Sequence, residues 1–286
     1  MPSLIDLRRR IRSVRNTQQM TRAMKMISAA RLRRAQDRVI AARPYARILR
    51  ELVSSVGAAL AADEQLLAHP LLVRREERNV QLVLLTADRG LAGAFNANLI
   101  RHAEQFLAGR PDGQVEMEVI GRKGRDYFRK RGTKISGSHV GLAGQASYRD
   151  VLPIADRLIE RYAHRETDAV YLLYNEFRSV LSQKPVLVRV LPIEIPKLEQ
   201  PLEYIYEQPP RQLLESLLPN YVRLMLYHAV LESTAAEHAA RMTAMDAATT
   251  NAAELIDKLT LHLNRVRQAS ITKELIEVVT GAAALE

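Results

Sequence analysis

The sequence predicts an α/β fold, a Rossmann-like, mostly parallel sheet domain inserted between two long terminal helices that pair with each other. Three observations predict it. Ser3 to Arg43 and Asn220 to Thr280 contain neither glycine nor proline, which permits helical rods of about 60 and 90 Å at 1.5 Å per residue. Both segments carry apolar residues at alternating spacings of three and four, the single narrow seam of a coiled coil. Between them, strand-like and helix-like runs alternate, the grammar of a doubly wound sheet.

In the first helix the seam runs Leu4, Leu7, Ile11, Val14, then turns polar at Gln18, Thr21, Lys25 and Ser28. It returns at Leu32, Ala35, Val39, Ala42, Ala46, Leu49, Val53, Val56 and Leu60. Pro44 lacks an N–H and crowds the preceding turn, so a kink or interruption is expected there. Where the seam is polar, Met20, Met24 and Ile27 make a second apolar stripe turned away from it, set among Arg22, Lys25 and Arg31. Methionines at helical spacing also pack in ordinary cores, but a core face is not flanked so closely by charge.

The charge is placed unevenly. The 286 residues carry a net +10, yet residues 1–50 alone hold 14 Arg or Lys against Asp6 and Asp37. That segment is +12 and the remainder −2, so one helix carries the basicity and seeks an acidic partner. MPSLIDLRRRIRSVRN has the Arg-rich composition of a mitochondrial presequence, but its seam continues into the body of the protein. No run approaches the ~18 apolar residues of a membrane span. With no cysteine there is no disulfide, thiol nucleophile or Cys-based metal site, which fits a reducing compartment.

The C-terminal seam reads Met245, Ala248, Ala252, Leu255, Leu259, His262, Val266 and Ala269, with His262 as a polar register device. In the middle, residues 80–87, 115–121, 168–177 and 186–193 read as strands, and 95–107 and 147–164 as helices. GTKISGSHVGLAGQ (132–145) reads as a flexible loop. The domains are then residues 1–60, an N-terminal coiled-coil helix; 61–75, a linker; 76–200, the α/β domain; and 201–286, the C-terminal coiled-coil helix.

Candidates for chemistry are few. TADRGLAGAFNANL (86–99) follows a strand and opens a helix, where α/β folds bind phosphate. Gly90 and Gly93 do not fit GxGxxG, however, and no GK[ST] follows. Tight turning and close packing account for them, and Gly93→Ala is tolerated if Gly93 keeps a negative φ. GRKGRDYF (121–128) reads as a solvated basic turn. The seven histidines, His69, His102, His139, His164, His228, His238 and His262, show no HxxxH or HExxH pairing. No G-x-S-x-G and no carboxylate pair stands out. The sequence therefore assigns no catalytic residue, no cofactor and no metal. A nucleic-acid-binding coiled coil remains an alternative, although residues 1–44 hold no aromatic side chain to stack on bases. A nucleotide-dependent α/β enzyme is another.

RQASITKELIEVVTGAAAL (267–285) closely resembles the signature that ends the gamma subunit of bacterial F-type ATP synthases, with Ile271, Thr272, Glu274, Glu277, Gly281 and Ala282 at its characteristic positions. TQQMTRAMKMISAARLRRAQ (17–36), AHPLL (68–72), TADRGLAGAFN (86–96) and ARMTAMDAAT (240–249) resemble other blocks of that family in order, and the cysteine-bearing insertion of the chloroplast form is absent.

The resemblance implies an antiparallel coiled coil standing inside a ring of alternating alpha and beta subunits. The α/β domain would sit below it on the epsilon subunit and the membrane ring of c subunits. It implies a proton-translocating rotary motor in which this chain is the non-catalytic shaft, located peripherally on the cytoplasmic face of the bacterial plasma membrane. The rotor–stator residues it implies are Met20, Arg22, Met24, Lys25, Ile27, Arg241, Gln268, Thr272 and Glu274. Met24 and Lys25 match the shaft position opposite an acidic collar on beta. Where other members have an acidic residue this chain has Lys25, which departs from the family pattern.

Overall fold

The computed structural model describes residues 4–60, 69–111, 114–142, 147–195 and 207–283, the last three by their backbone. The 61–75 linker and the 132–145 loop therefore lie partly outside the described residues. The chain divides into two compact units, Ala29–Arg241 and the pair of segments Met1–Ser28 and Met242–Glu286.

Among the described residues the elements in order are α1 (Leu4–Ala59), β1 (Val80–Leu85), α2 (Phe95–Ala108), β2 (Val115–Ile120), α3 (Arg122–Lys130), β3 (Ile135–His139), α4 (Tyr148–Ala163), β4 (Ala169–Phe177), β5 (Gln183–Leu191) and α5 (Pro210–Ala283). The Ala29–Arg241 unit is built on one sheet of order β3-β2-β1-β4-β5. β1 pairs parallel with β2 and β4, β2 pairs parallel with β3, and β5 closes the edge antiparallel to β4.

All six residues of β1 are buried, as expected of a central parallel strand covered on both faces. Its side chains alternate between two cores. Val83 and Leu85 pack with α4 and with Leu49, Val53, Leu214, Leu218 and Val222 of the long helices. Leu82 and Leu84 pack with Leu99 of α2 and Phe128 of α3. α4 begins at a capping box in which Ser147 and Asp150 bond each other's backbone N–H.

Three expectations are corrected here. Residues 121–128 are not a turn: α3 occupies Arg122–Lys130. Its buried residues, Gly124 and Phe128, stand one turn apart, so the basic side chains cover the outer face of a packed helix. Residues 132–145 are not simply a loop, because β3 (ISGSH) lies within them as an edge strand. Gly137 belongs there because a Cβ would meet the Arg157 guanidinium and the Glu118 carboxylate. Gly93 has φ +53°, so an alanine there is strained. As for the prolines, α1 continues through Pro44 and α5 starts at Pro210 and contains Pro219. Pro210 suits the first helical position, where its missing N–H has no helical partner to lose.

A polar layer lies between the sheet and α4. Glu118 of β2, fully buried, takes a hydrogen bond from Gln81 at 3.2 Å, contacts His139 Nε2 at 2.5 Å and is paired with Arg157. Burial pushes its carboxyl up, but the His139 hydrogen bond and the Arg157 charge outweigh burial and hold it below the usual range. Arg161 bridges Glu116 at 2.8 Å and the Gln81 side-chain oxygen Oε1 at 3.0 Å. A buried charge so fully partnered fixes one arrangement of strands and helix.

In the other unit, the first turns of α1 and the last part of α5 form an antiparallel pair. The Lys25 ammonium lies 2.6 Å from Asp246 and the Thr21 and Thr249 hydroxyls are 2.8 Å apart, so residue number rises on one helix as it falls on the other. Leu7, Ile11, Met245 and Ala252 are buried. Past Ala252 the less exposed positions are Ile256, Leu259, Leu263, Val266 and Ser270, with Ala253 and Thr260 beside them, whereas Leu255, His262 and Ala269 are exposed. The C-terminal seam thus steps four and three where the sequence suggested three and four, and His262 is no register device. A repeat on one helix permits both alternations; the partner helix selects one.

Candidate partner-facing surface

The stripe expected on α1 is there in part. Met20 and Ile27 are 60% and 53% exposed, Arg22 is exposed, and Met24 is half-buried at the margin of the seam. Met26, unmarked in the sequence reading, is 69% exposed. Lys25 is half-buried and engaged with Asp246. The polar seam positions turn inward: Ser28 is buried and Thr21 half-buried.

Gln268, Thr272 and Glu274 stand exposed along one stretch of α5. Thr272 donates to the Gln268 carbonyl at 2.9 Å and Ser270 to Glu274 at 3.4 Å. Every residue from Ile271 to Thr280 is exposed, including Leu275, Ile276, Val278 and Val279. If the two polar ties are extended at equal rise, Leu4 lies level with Val266. The helix therefore runs on past Leu4, and among the described residues no helix covers LIEVV. Ten residues of amphipathic helix with both faces in solvent make a surface awaiting a partner. Charge and periodicity alone do not separate such a tip from a packed helix end.

Arg241 belongs to the Ala29–Arg241 unit and is buried. Its guanidinium pairs with Glu237 at 2.8 Å and donates to the carbonyls of Arg89 and Gly90 at 3.4 and 3.3 Å. It thereby clamps the loop after β1, on which Leu91 stands 62% exposed with φ +63°. Burial pushes the Glu237 carboxyl up against the pull of Arg241. Burial, with Arg241 and Arg31, pushes the neighbouring His238 down to about 4.

The place where α/β folds hold phosphate is filled by this chain's own groups. Asp88 accepts hydrogen bonds from the Arg122 N–H at 2.9 Å and the Gly141 N–H at 3.0 Å. The Gly124 N–H donates to the Thr86 hydroxyl at 2.9 Å and the Lys123 N–H to the Ala87 carbonyl at 3.1 Å. A carboxylate thus sits where the amides and dipole of α3 would receive an anion. Gly121, at φ +100°, and Gly124 are required because a Cβ on either would meet Thr86. These glycines serve close packing. Among the described residues, no group of His, Asp or Glu is placed to hold a metal ion, and no helix is long and apolar enough to cross a membrane.

The fold resembles a chain of the Euglena gracilis mitochondrial ATP synthase structure of OSCP, F1 and c-ring, with a TM-score of 0.68 at 18% identity, covering 99% of this chain and 94% of that one. A chain from the central stalk and c-ring of the Tetrahymena thermophila enzyme matches with a TM-score of 0.61 at 22% identity, over 80% of this chain and 99% of that one. In sequence, the chain is 62% identical to the ATP synthase gamma chain of Solibacter usitatus and 49% identical to that of an Anaeromyxobacter species, each over the full length of both proteins. With the ATP synthase family model also matching residues 3–285, this chain belongs to the ATP synthase gamma-chain family.

Proposed function

We propose that the exposed stripe of Met20, Arg22, Met24 and Ile27, with Lys25 at its edge, and the α5 face of Gln268, Thr272 and Glu274 run against the ring of alpha and beta subunits as the chain turns in a proton-translocating motor. A gamma chain is the central stalk of the F-type enzyme, and the catalytic sites lie on the beta subunits. Residues 1–60 and 201–286 serve as the shaft, 61–75 as a linker, and 76–200 as the base that meets the epsilon subunit and the c-ring. The complex is membrane-associated, and this chain reaches the cytoplasmic face of the bacterial plasma membrane through it. Arg241 serves the surface indirectly, by holding the loop that presents Leu91.

The observation that carries this reading is a division of labour on one helix. Leu7 and Ile11 are spent on the partner helix while Met20, Met26 and Ile27 remain in solvent among arginines. Soft thioethers tolerate a changing neighbour, and the arginines meet an acidic collar by long-range attraction.

The test is Met24→Lys in the assembled complex. Lysine keeps helix propensity, and Met24 is only half-buried, so assembly is retained. The added ammonium gives one more ion pair at some rotor angles and not others, stabilising those angles by ~1–3 kcal/mol. Leaving them then limits turnover, slowing it about 5- to 150-fold. Protons pumped per ATP hydrolysed and the temperature dependence of turnover report it; unchanged coupling in a properly assembled variant rules this surface out.

A further inference from the structure

At the edge of the exposed stripe on α1, the Lys25 ammonium lies 2.6 Å from Asp246 on the opposite helix. We propose that Lys25–Asp246, together with Thr21–Thr249, is a register lock that sets the axial alignment of the two shaft helices. Lys25 then acts on the partner helix as well as lying at the edge of the surface, and Asp246 and Thr249 join it as positioning residues. This goes beyond the rotor–stator reading and does not depend on it.

Apolar seams specify register weakly. Leu7, Ile11 and Val14 on α1 and Leu259, Leu263 and Val266 on α5 repeat at spacings of four and three, so sliding one helix by a heptad still sets apolar side chains against apolar side chains. Polar pairs do not tolerate the slide. A seven-residue shift of α5 puts Ala253 where Asp246 stands and Ile256 where Thr249 stands, leaving the Lys25 ammonium facing a methyl group and the Thr21 hydroxyl facing a hydrocarbon. The ties fall where the α1 seam is least apolar, from Gln18 to Lys25. There they add a direction-specific contribution to an alignment that packing alone specifies weakly. An axial error matters in a shaft because each heptad displaces the α5 tip by about 10 Å. That would move Ile271 to Val279 relative to whatever α1 touches.

The chain has no cysteine, so engineered thiols report register without background. One heptad beyond the Thr21–Thr249 tie, the native alignment brings Val14 level with Ile256. The heptad-shifted alignment brings Val14 level with Leu263. Two full-length chains, Val14→Cys with Ile256→Cys and Val14→Cys with Leu263→Cys, are each equilibrated against glutathione to obtain the effective concentration of the thiol pair. The ratio of the two values is the register preference. A half-exposed ion pair is modest, so Lys25→Asp or Asp246→Lys is expected to lower that ratio about two- to tenfold. The exchanged pair, Lys25→Asp with Asp246→Lys, restores it. Lys25→Gln, which introduces no like charges, keeps the test readable if a reversal impairs folding and is expected to lower the ratio by about twofold or more. A ratio unchanged in Lys25→Gln overturns the lock, as does an exchanged pair that fails to restore it. The readout needs no ring, so failure of the proposed stator contact leaves it untouched. Conversely, if Lys25→Asp changes turnover in the assembled complex while the ratio stays constant, Lys25 belongs to the stator surface and the lock is wrong.

Discussion

The two units treat polar and apolar groups in opposite ways. In the Ala29–Arg241 unit, charge goes inside and is fully partnered: Glu118, with no exposed surface, is held by Gln81, His139 and Arg157. In the helix-pair unit the charged tie between the helices is half-exposed, and large apolar side chains stand in water at Met20, Ile27, Leu275, Ile276, Val278 and Val279. The first unit surrounds its buried carboxylate with partners, although Leu91 and Leu181 still stand in water there; the second carries its exposed apolar side chains in continuous helical stretches, as a surface that meets a partner must.

Crowding the interior of the first unit should break this contrast most severely. A side chain at Gly137 occupies the space of the Arg157–Glu118 pair, so Gly137→Val is expected to cost the α/β unit ~3–5 kcal/mol by parting a buried ion pair. Chemical denaturation of the full chain measures it, and a loss below about 1 kcal/mol means the polar layer is dispensable.

The next effect depends on pH. His238 is buried and titrates near 4, below its ordinary value of about 6.5. The unfolded chain therefore takes up this proton first as pH falls, and stability declines between about 6.5 and 4, by up to ~3 kcal/mol through this group. Glu237, pushed up by burial, binds its proton earlier in the folded state and works in the opposite direction. The difference between parent and His238→Leu isolates the histidine. The variant is expected to lose less stability than the parent on going from pH 7 to pH 4, with equal slopes counting against the assignment.

The smallest effect falls on the helix-pair unit. Val278, 69% exposed, contributes little to the isolated chain, so Val278→Asn should shift its stability by no more than ~0.5 kcal/mol. The same change should weaken assembly with alpha and beta subunits if the tip is covered there. Normal assembly kinetics would show that its apolar face has no partner.

Much of the fold was legible because period and composition report which face of an element is buried. The continuous apolar run of β1 marks a strand covered on both sides, and 95–107 and 147–164 were found within a residue at each end. β3 escaped notice because an edge strand written ISGSH has two serines, a glycine and little burial to advertise it. The helix at Arg122–Lys130 was hidden by its charges, since only Gly124 and Phe128 mark its inner face. Of the candidate surface, the Met20–Ile27 stripe was readable from spacing. The inward turn of Arg241 was not, because it depends on carbonyls about 150 positions away in sequence.

The sequence by itself determined the two helical rods, the alternation of strands and helices between them, and the concentration of basic charge on α1, because each is a local property of residue type and spacing. Only the tertiary structure decided which heptad phase α5 uses, that Asp88 fills the anion position of α3, and that Lys25 meets Asp246. These are choices between arrangements of equal local merit, and they are settled by groups distant in the chain that arrive at the same few ångströms.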